Sequence, residues 1–127
     1  MTTLAPAGSR VAVLGASPKE DRYSFKAMRM LREHGHQPIP IHPAGHTVDG
    51  IAGFKSLGKI DKPVDTLTFY VNSKISSGLK DDILKLNPRR VIFNPGAEND
   101  ELAEILESAG IEVVIACTLV MLATGAF

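Results

Sequence analysis

Disulfides, a net charge and long apolar runs are all missing from this sequence, and each absence excludes something. Cys117 is the single cysteine in 127 residues, so no disulfide can form within the chain, and a reducing, cytoplasmic setting is expected. Tryptophan is absent as well, and 14 Lys+Arg balance 14 Asp+Glu. With no overall field to gather nucleic acid or an anionic membrane, an anionic ligand has to be met by local groups. No apolar run approaches the ~18 residues that span a bilayer. The opening Met1 to Arg10 lacks the basic start and apolar stretch of a signal peptide. The expected partner is therefore a small molecule rather than nucleic acid or membrane, with a protein partner or a second copy of the chain left open.

Hydrophobic residues make up 44% and charged residues 22%, the balance of an ordinary globular chain, and residues 1–127 are read as one domain. Arg10 to Leu14 is a short β-type run ended by Gly15. From Ser24 to His34, Phe25, Ala27, Met28 and Leu31 recur at helical spacing, with Ser24 able to cap the start and Gly35 to stop the end. Gln37 to Ile41 reads as a second strand whose two prolines favour pairing along one side. Gly45 to Lys62 reads as a loop with one short strand or turn. Asp65 to Val71 is a third strand, Ile75 to Leu86 an amphipathic helix, Arg90 to Asn94 a fourth strand. A helix with an acidic first turn at Asp100 and Glu101 follows, then a fifth strand from Ile111 to Ile115 and a helical apolar tail at Leu119 to Leu122.

Strands alternating with helices predict a Rossmann-like, doubly wound α/β fold with helices on both faces of a parallel sheet. Its five strands are expected in the order 3-2-1-4-5. That order puts the reversal of winding between strands one and four, so the ligand crevice is expected between the loop after Gly15 and the loop after Asn94.

The first of these loops, Gly15 to Ser24, begins with small residues and leads into a helix start, an arrangement that suits an anion; it also fits a plain strand-to-helix turn. It does not match G-x-G-x-x-G, since Ser17 and Glu20 stand at the second and third glycines. The end of strand two carries His42 where a dinucleotide site has an acid for the ribose hydroxyls, which disfavours NAD. The second loop, Asn94-Pro95-Gly96, is a tight turn. Tyr70 to Lys74 closes strand three, where Asn72 and Ser73 are better read as helix caps than as ligand contacts. His34, His36 and His46 share no metal-ligand spacing and read as surface residues. Cys117 reads as a small apolar packing residue. No nucleophile elbow, P-loop or carboxylate pair is present, which lowers the expectation of an enzyme.

Taken together, Val11-Ala-Val-Leu-Gly-Ala-Ser-Pro18, Ile41-His-Pro43, Tyr70-Val71, Phe93-Asn-Pro-Gly96 and Ala116-Cys-Thr-Leu-Val-Met-Leu122 resemble the small bacterial CoA-binding domain proteins. These are similar to the CoA-binding domain of the succinyl-CoA synthetase α-subunit. The resemblance runs from about Arg10 to the end of the chain. It implies binding of coenzyme A or an acyl-CoA without chemistry, with Gly15, Ala16 and Ser17 at the phosphates and His42 and Pro43 beside the ligand. Val71 and Asn72 would then flank the nucleotide, and Asn94, Pro95 and Gly96 line the pantetheine side. The synthetase has a lysine soon after its counterpart of Pro43, whereas this chain reads Pro43-Ala-Gly-His46, leaving Lys19, Arg22 or His46 to supply positive charge. Ser24, at the end of the same loop, completes the candidate site. Two other readings stand beside this one: a small NAD(P)-dependent oxidoreductase, and a partner subunit with a vestigial nucleotide site.

Overall fold

In the computed structural model, which describes residues 3–127, the run after Arg10 becomes β1 (Arg10–Leu14) and the next helix is α1 (Tyr23–Glu33). There follow β2 (Gln37–Ile41), β3 (Thr66–Phe69), α2 (Ser73–Ser77), α3 (Lys80–Leu86) and β4 (Arg90–Phe93). The chain closes with α4 (Asp100–Ser108), β5 (Glu112–Ile115) and α5 (Thr118–Thr124). All neighbouring strands of the five-stranded sheet run parallel, so the expected Rossmann-like α/β architecture is the one adopted.

The strand order differs from the expected one. It is β2-β1-β3-β4-β5, with β3 between β1 and β4 and β2 at the edge. The reason lies in the side chains. An order that set strand two between one and three would require it to donate hydrogen bonds on both sides, and Pro38 and Pro40 have no N–H to give. At the edge their ring nitrogens cost nothing, because Gln37, Ile39 and Ile41 face β1. The Pro40 carbonyl still accepts a single bond from Phe54 N–H, at 2.9 Å. Thr66-Leu-Thr-Phe69 is buried at every residue, as a central parallel strand must be. The winding therefore reverses between β1 and β3, and the end of β3 faces Gly15 directly.

Alternate residues of the strands feed two cores. On one face Val11, Val13 and Ile92 meet Phe25, Met28 and Leu31 of α1 and Met121 and Leu122 of α5. On the other, Leu67, Phe69, Val91 and Phe93 meet Ile83, Leu102 and Leu106, with the Phe69 and Phe93 rings stacked at 4.5 Å. The strands end level: Leu14 is in register with Ile41 and with Phe69, Phe69 with Phe93, and Phe93 with Ile115. Five loops therefore leave the sheet along one edge.

Some local expectations also shift. The helix expected over Ile75 to Leu86 is broken into α2 and α3, because Gly78 and Leu79 N–H groups donate to the carbonyls three residues back, and Ile75 stays half-exposed. Ser24 lies inside the first turn of α1, not at its cap; the N-cap is Arg22, whose side chain makes no capping bond. The Gly45 to Lys62 stretch holds isolated bridges, Ile41 with Phe54 and Val48 with Ile51, and a short 3-10 turn at Leu57–Lys59. The acidic first turn of α4 and the helical tail are as expected. No described helix is long and apolar enough to cross a membrane.

Candidate ligand groove

The residues that immediately follow the level strand ends are Gly15, His42, Tyr70, Asn94 and Ala116. Gly15 has φ +89°, and a Cβ placed on it would lie 2.7 Å from the Tyr70 carbonyl oxygen and 2.8 Å from Val71 Cγ1. This glycine is thus required by the close approach of the β3 end, whether or not a ligand is bound. Its N–H and that of Ala16 donate to the Ile41 carbonyl, at 2.9 and 3.2 Å, while Ser17 N–H donates to Ser24 Oγ at 3.1 Å. The first amides of the loop are therefore spent on the protein. What remains for an anion is the N-terminus of α1, which has no side-chain cap and no acidic residue in its first turn.

Three adjoining cavities open along this edge. The central one, about 500 Å³, is lined by Gly15, Ser17, Lys19, Arg22, His42 and His46 among others. On the β2 side an apolar cavity of about 460 Å³ is walled by Ile41, Pro43, Leu57, Val71, Ile75 and Leu79. Toward β5 a third, of about 250 Å³, is formed by Tyr23, Tyr70, Asn94, Pro95, Cys117 and Leu119. Gly15 and His42 belong to the first two, Tyr23 to the first and third, and Tyr70 to all three. The groove is continuous, and its middle is the cationic part.

The electrostatics follow from who is present. Among the described residues, no aspartate or glutamate lines the central or the apolar cavity. Burial, and then the neighbouring His46, hold the His42 imidazole below the usual histidine range. Burial pushes the Tyr70 phenol well above the usual tyrosine range, and its buried hydroxyl has no hydrogen-bond partner. The hydroxyl is shut away beside Thr68 and Thr118, so what the cavities meet is the rest of Tyr70. Asn94 is the opposite case. Its Nδ2 donates to Thr68 Oγ1 at 2.7 Å and to the Phe69 carbonyl at 2.8 Å, and its Oδ1 accepts from Thr118 N–H at 2.9 Å. It ties β3, β4 and α5 together, which holds the wall of the third cavity.

The sequence-predicted residues divide accordingly. Gly15, Ser17, Lys19, Arg22, Ser24 and His42 come together around the central cavity. His42, Pro43, Val71 and Asn72 line the apolar one, and Asn94 and Pro95 the third. Ala16 is buried in the core on the α1 face and lines none of the three, and Gly96 lies outside them with its N–H bonded to Glu98 Oε1 at 2.8 Å. Asn72 also caps α2 by accepting from Ile75 N–H, the role the sequence favoured. Cys117 is half-buried and lines the third cavity, so it is not a core packing residue. Tyr23, Lys55 and Tyr70 line the groove without having been singled out as site residues, while His46, one of the three residues expected to supply positive charge, lines the central cavity. From spacing alone His46 reads as a surface residue, because nothing in it shows that the loop after β2 turns back beside His42; only the resemblance points to it. Lys55 was hidden in the same loop. Tyr70 belongs to one of the motifs that carry the resemblance but closes a strand expected at the edge, and the corrected strand order is what moves it to the centre.

Comparison with known proteins finds relatives of the whole fold. A sequence profile of the family described as CoA binding domain matches residues 9–123. The uncharacterized protein YneT of Bacillus subtilis (strain 168) is 26% identical over 106 residues, covering 84% of this chain and 78% of its own. A crystal structure of an uncharacterized protein superposes with a TM-score of 0.90 at 43% identity, covering 96% of this chain and 100% of that one. The dinucleotide forming acetyl-coenzyme A synthetase 1 of Ca. Korarchaeum cryptofilum, solved with phosphate and ADP, matches at TM-score 0.70 and 25% identity. That match covers 84% of this chain and 25% of the synthetase.

Proposed function

Because the chain belongs to the CoA binding domain family, we propose that its groove binds coenzyme A or an acyl-CoA, as a binding module without chemistry of its own. The carrying observation is the order of the three cavities: apolar, cationic and carboxylate-free, then apolar again. A coenzyme A molecule has that order of parts. Its base fits the cavity walled by Ile41, Leu57, Val71 and Leu79. Its phosphates fit the N-terminus of α1 with Lys19, Arg22 and His42 around it. Its pantetheine arm fits between Tyr23, Tyr70 and Pro95, with the thiol or acyl end toward Cys117 and Leu119. Gly15 acts by letting the β3 end close against the loop, and Asn94 acts by holding the wall.

The end of β2 supports coenzyme A over a nicotinamide dinucleotide, since His42 offers no carboxylate to a ribose diol. Titration calorimetry with coenzyme A, acetyl-coenzyme A, NAD and NADP tests the reading. Saturable binding of either CoA species, tighter than of either dinucleotide, is the expected result. NADP bound more tightly would favour the oxidoreductase reading, and no binding of any of the four would favour a partner subunit with a vestigial site.

A further inference from the structure

The loop after β2 brings two imidazoles together inside the central cavity. The His42 and His46 rings lie 4.6 Å apart, centroid to centroid, tilted by 37°. The loop is built to hold them so. His42 N–H donates to the Phe54 carbonyl at 3.0 Å, and Gly45 N–H donates to the His42 carbonyl at 2.8 Å. Gly53 packs so closely behind His46 that a Cβ there would lie 2.1 Å from the His46 carbonyl oxygen. His42 Nδ1 accepts the Ala44 N–H at 3.0 Å. That bond occupies the Nδ1 lone pair, so the His42 ring carries its hydrogen on Nε2 and stays neutral.

The remaining titratable or charged groups around the pair are Lys19, Arg22, Tyr23 and Tyr70 in the central cavity and Lys55 in the apolar one. The carboxylate nearest in sequence to the pair, Asp49, is held by Arg29 at 3.1 Å and by Arg32, and neither it nor Glu20 and Asp21 of the first loop lines either cavity. Among the described residues, no carboxylate lines the cavity that the two rings share. A phosphate in the cavity would supply a negative charge, and an anion within ~4–6 Å favours an imidazolium.

We propose that His42 and His46 form a proton-coupled phosphate clamp, in which His42 donates a neutral Nε2–H and His46 takes up one proton from solvent as the phosphate enters. This rests on the coenzyme A reading and deepens it. It assigns to His46 a contact with a ligand phosphate, either the ribose phosphate or the diphosphate. The balance is simple: the buffer loses one proton, His46 gains it, and the bound state carries an imidazolium paired with phosphate oxygens. Binding then tightens as pH falls, because the bound protein holds more protons than the free one.

Calorimetry of the full chain with coenzyme A, at pH 7 in two phosphate-free buffers of different ionisation enthalpy, measures that proton directly. The expected result is an apparent enthalpy that differs between buffers by a proton uptake of up to about one, and a Kd about fivefold lower at pH 6 than at pH 8. His46→Gln should lose most of the uptake and flatten the pH profile. His42→Gln should bind more weakly yet keep the uptake, which guards against reading a folding defect as a lost proton. The ribose phosphate of the ligand itself titrates near pH ~6, so uptake that persists undiminished in His46→Gln overturns the proposal, as does buffer-independent heat in the unmodified chain. Dephospho-coenzyme A separates the two sources: uptake kept with it assigns the clamp to the diphosphate, uptake lost assigns it to the ribose phosphate. Failure of coenzyme A to bind at any pH from 6 to 8 overturns the ligand reading and this inference with it, a result distinct from binding without a proton.

Discussion

Gly15 and Gly96 have the same backbone angle and different surroundings, which allows the cost of the groove's close approach to be measured. Both have φ +89°, yet a Cβ on Gly96 would meet nothing within 4 Å, whereas one on Gly15 would lie 2.7 Å from the Tyr70 carbonyl oxygen. Alanine at either position must adopt a left-handed conformation, at about 1 kcal/mol. At Gly15 it must also push back backbone at the centre of a parallel sheet, which cannot swing away as a side chain would. Displacing the β3 end and leaving polar atoms poorly paired is expected to add about 2 kcal/mol. Unfolding entropy of about 2.1 cal/mol/K per residue converts each kcal/mol into about 4 °C for a chain of 127 residues. Gly15→Ala should therefore melt about 11 °C below the unmodified protein and Gly96→Ala about 4 °C below. Thermal unfolding followed by circular dichroism checks both. Equal losses at the two sites would refute the argument that contact with Tyr70, and not backbone angle alone, demands the glycine.

Asn94→Ala leaves Thr118 N–H and the Phe69 carbonyl without their buried partner, and is expected to cost about 3 kcal/mol in chemical denaturation; a loss under 1 kcal/mol would show that water replaces the amide. Acid should destabilise the empty protein in two stages. His36 and His42 are both held below the usual histidine range, chiefly by burial, so the unfolded chain takes up protons first. Their contribution is complete above about pH 6.5 and declines as pH falls through that value. Asp65 and Asp49 are held below the usual carboxylate range. Burial opposes this at Asp65 but hydrogen bonds from Arg89 and Thr66 outweigh it, and Asp49 is held down by its bond from Arg29 and the charges of Arg29 and Arg32. Their contribution is present above about pH 3.9 and is lost below it. Urea midpoints should fall from pH 7.5 to 5.5, and fall further below pH 4; a rise over the first interval would contradict the histidine assignment. Bound coenzyme A should slow modification of Cys117 by a thiol reagent at least severalfold, since this side chain lines the third cavity; an unchanged rate would remove the pantetheine arm from that cavity.

The elements were legible because their signals are local. β1, β3, β4 and β5 are short β-branched or aromatic runs bounded by turn residues, and α1 and α4 carry their apolar residues on one face. Strand order was not legible from local pattern alone, because a parallel strand buried on both faces reads the same at any interior position. The decisive information was nonetheless present in Pro38 and Pro40, which bar β2 from the interior of a sheet. The split between α2 and α3 escaped because Ile75, Leu79, Ile83 and Leu86 keep helical spacing across it, while Gly78 alone hints at a break.

The site was legible where it depends on strand ends and not where it depends on a loop. Gly15, His42, Val71 and Asn94 follow or close strands, so topology brings them to one edge. His46 reaches the groove only because Gly53 allows the loop to fold tightly behind it, a contact no periodicity records. This placement gives the protein opposite responses to acid in its empty and occupied states. Protonating His42 in the empty groove would place charge beside Lys19, Arg22 and His46 with no anion to meet it, and would break its bond from Ala44 N–H. A ligand phosphate reverses the sign of the local field, and His46, which is not tied through Nδ1 to Ala44, is the ring free to respond. Stability of the empty fold and affinity for a phosphorylated ligand should therefore move in opposite directions between pH 8 and 6, and a parallel rise or fall of the two would show that the two rings act as one titrating unit.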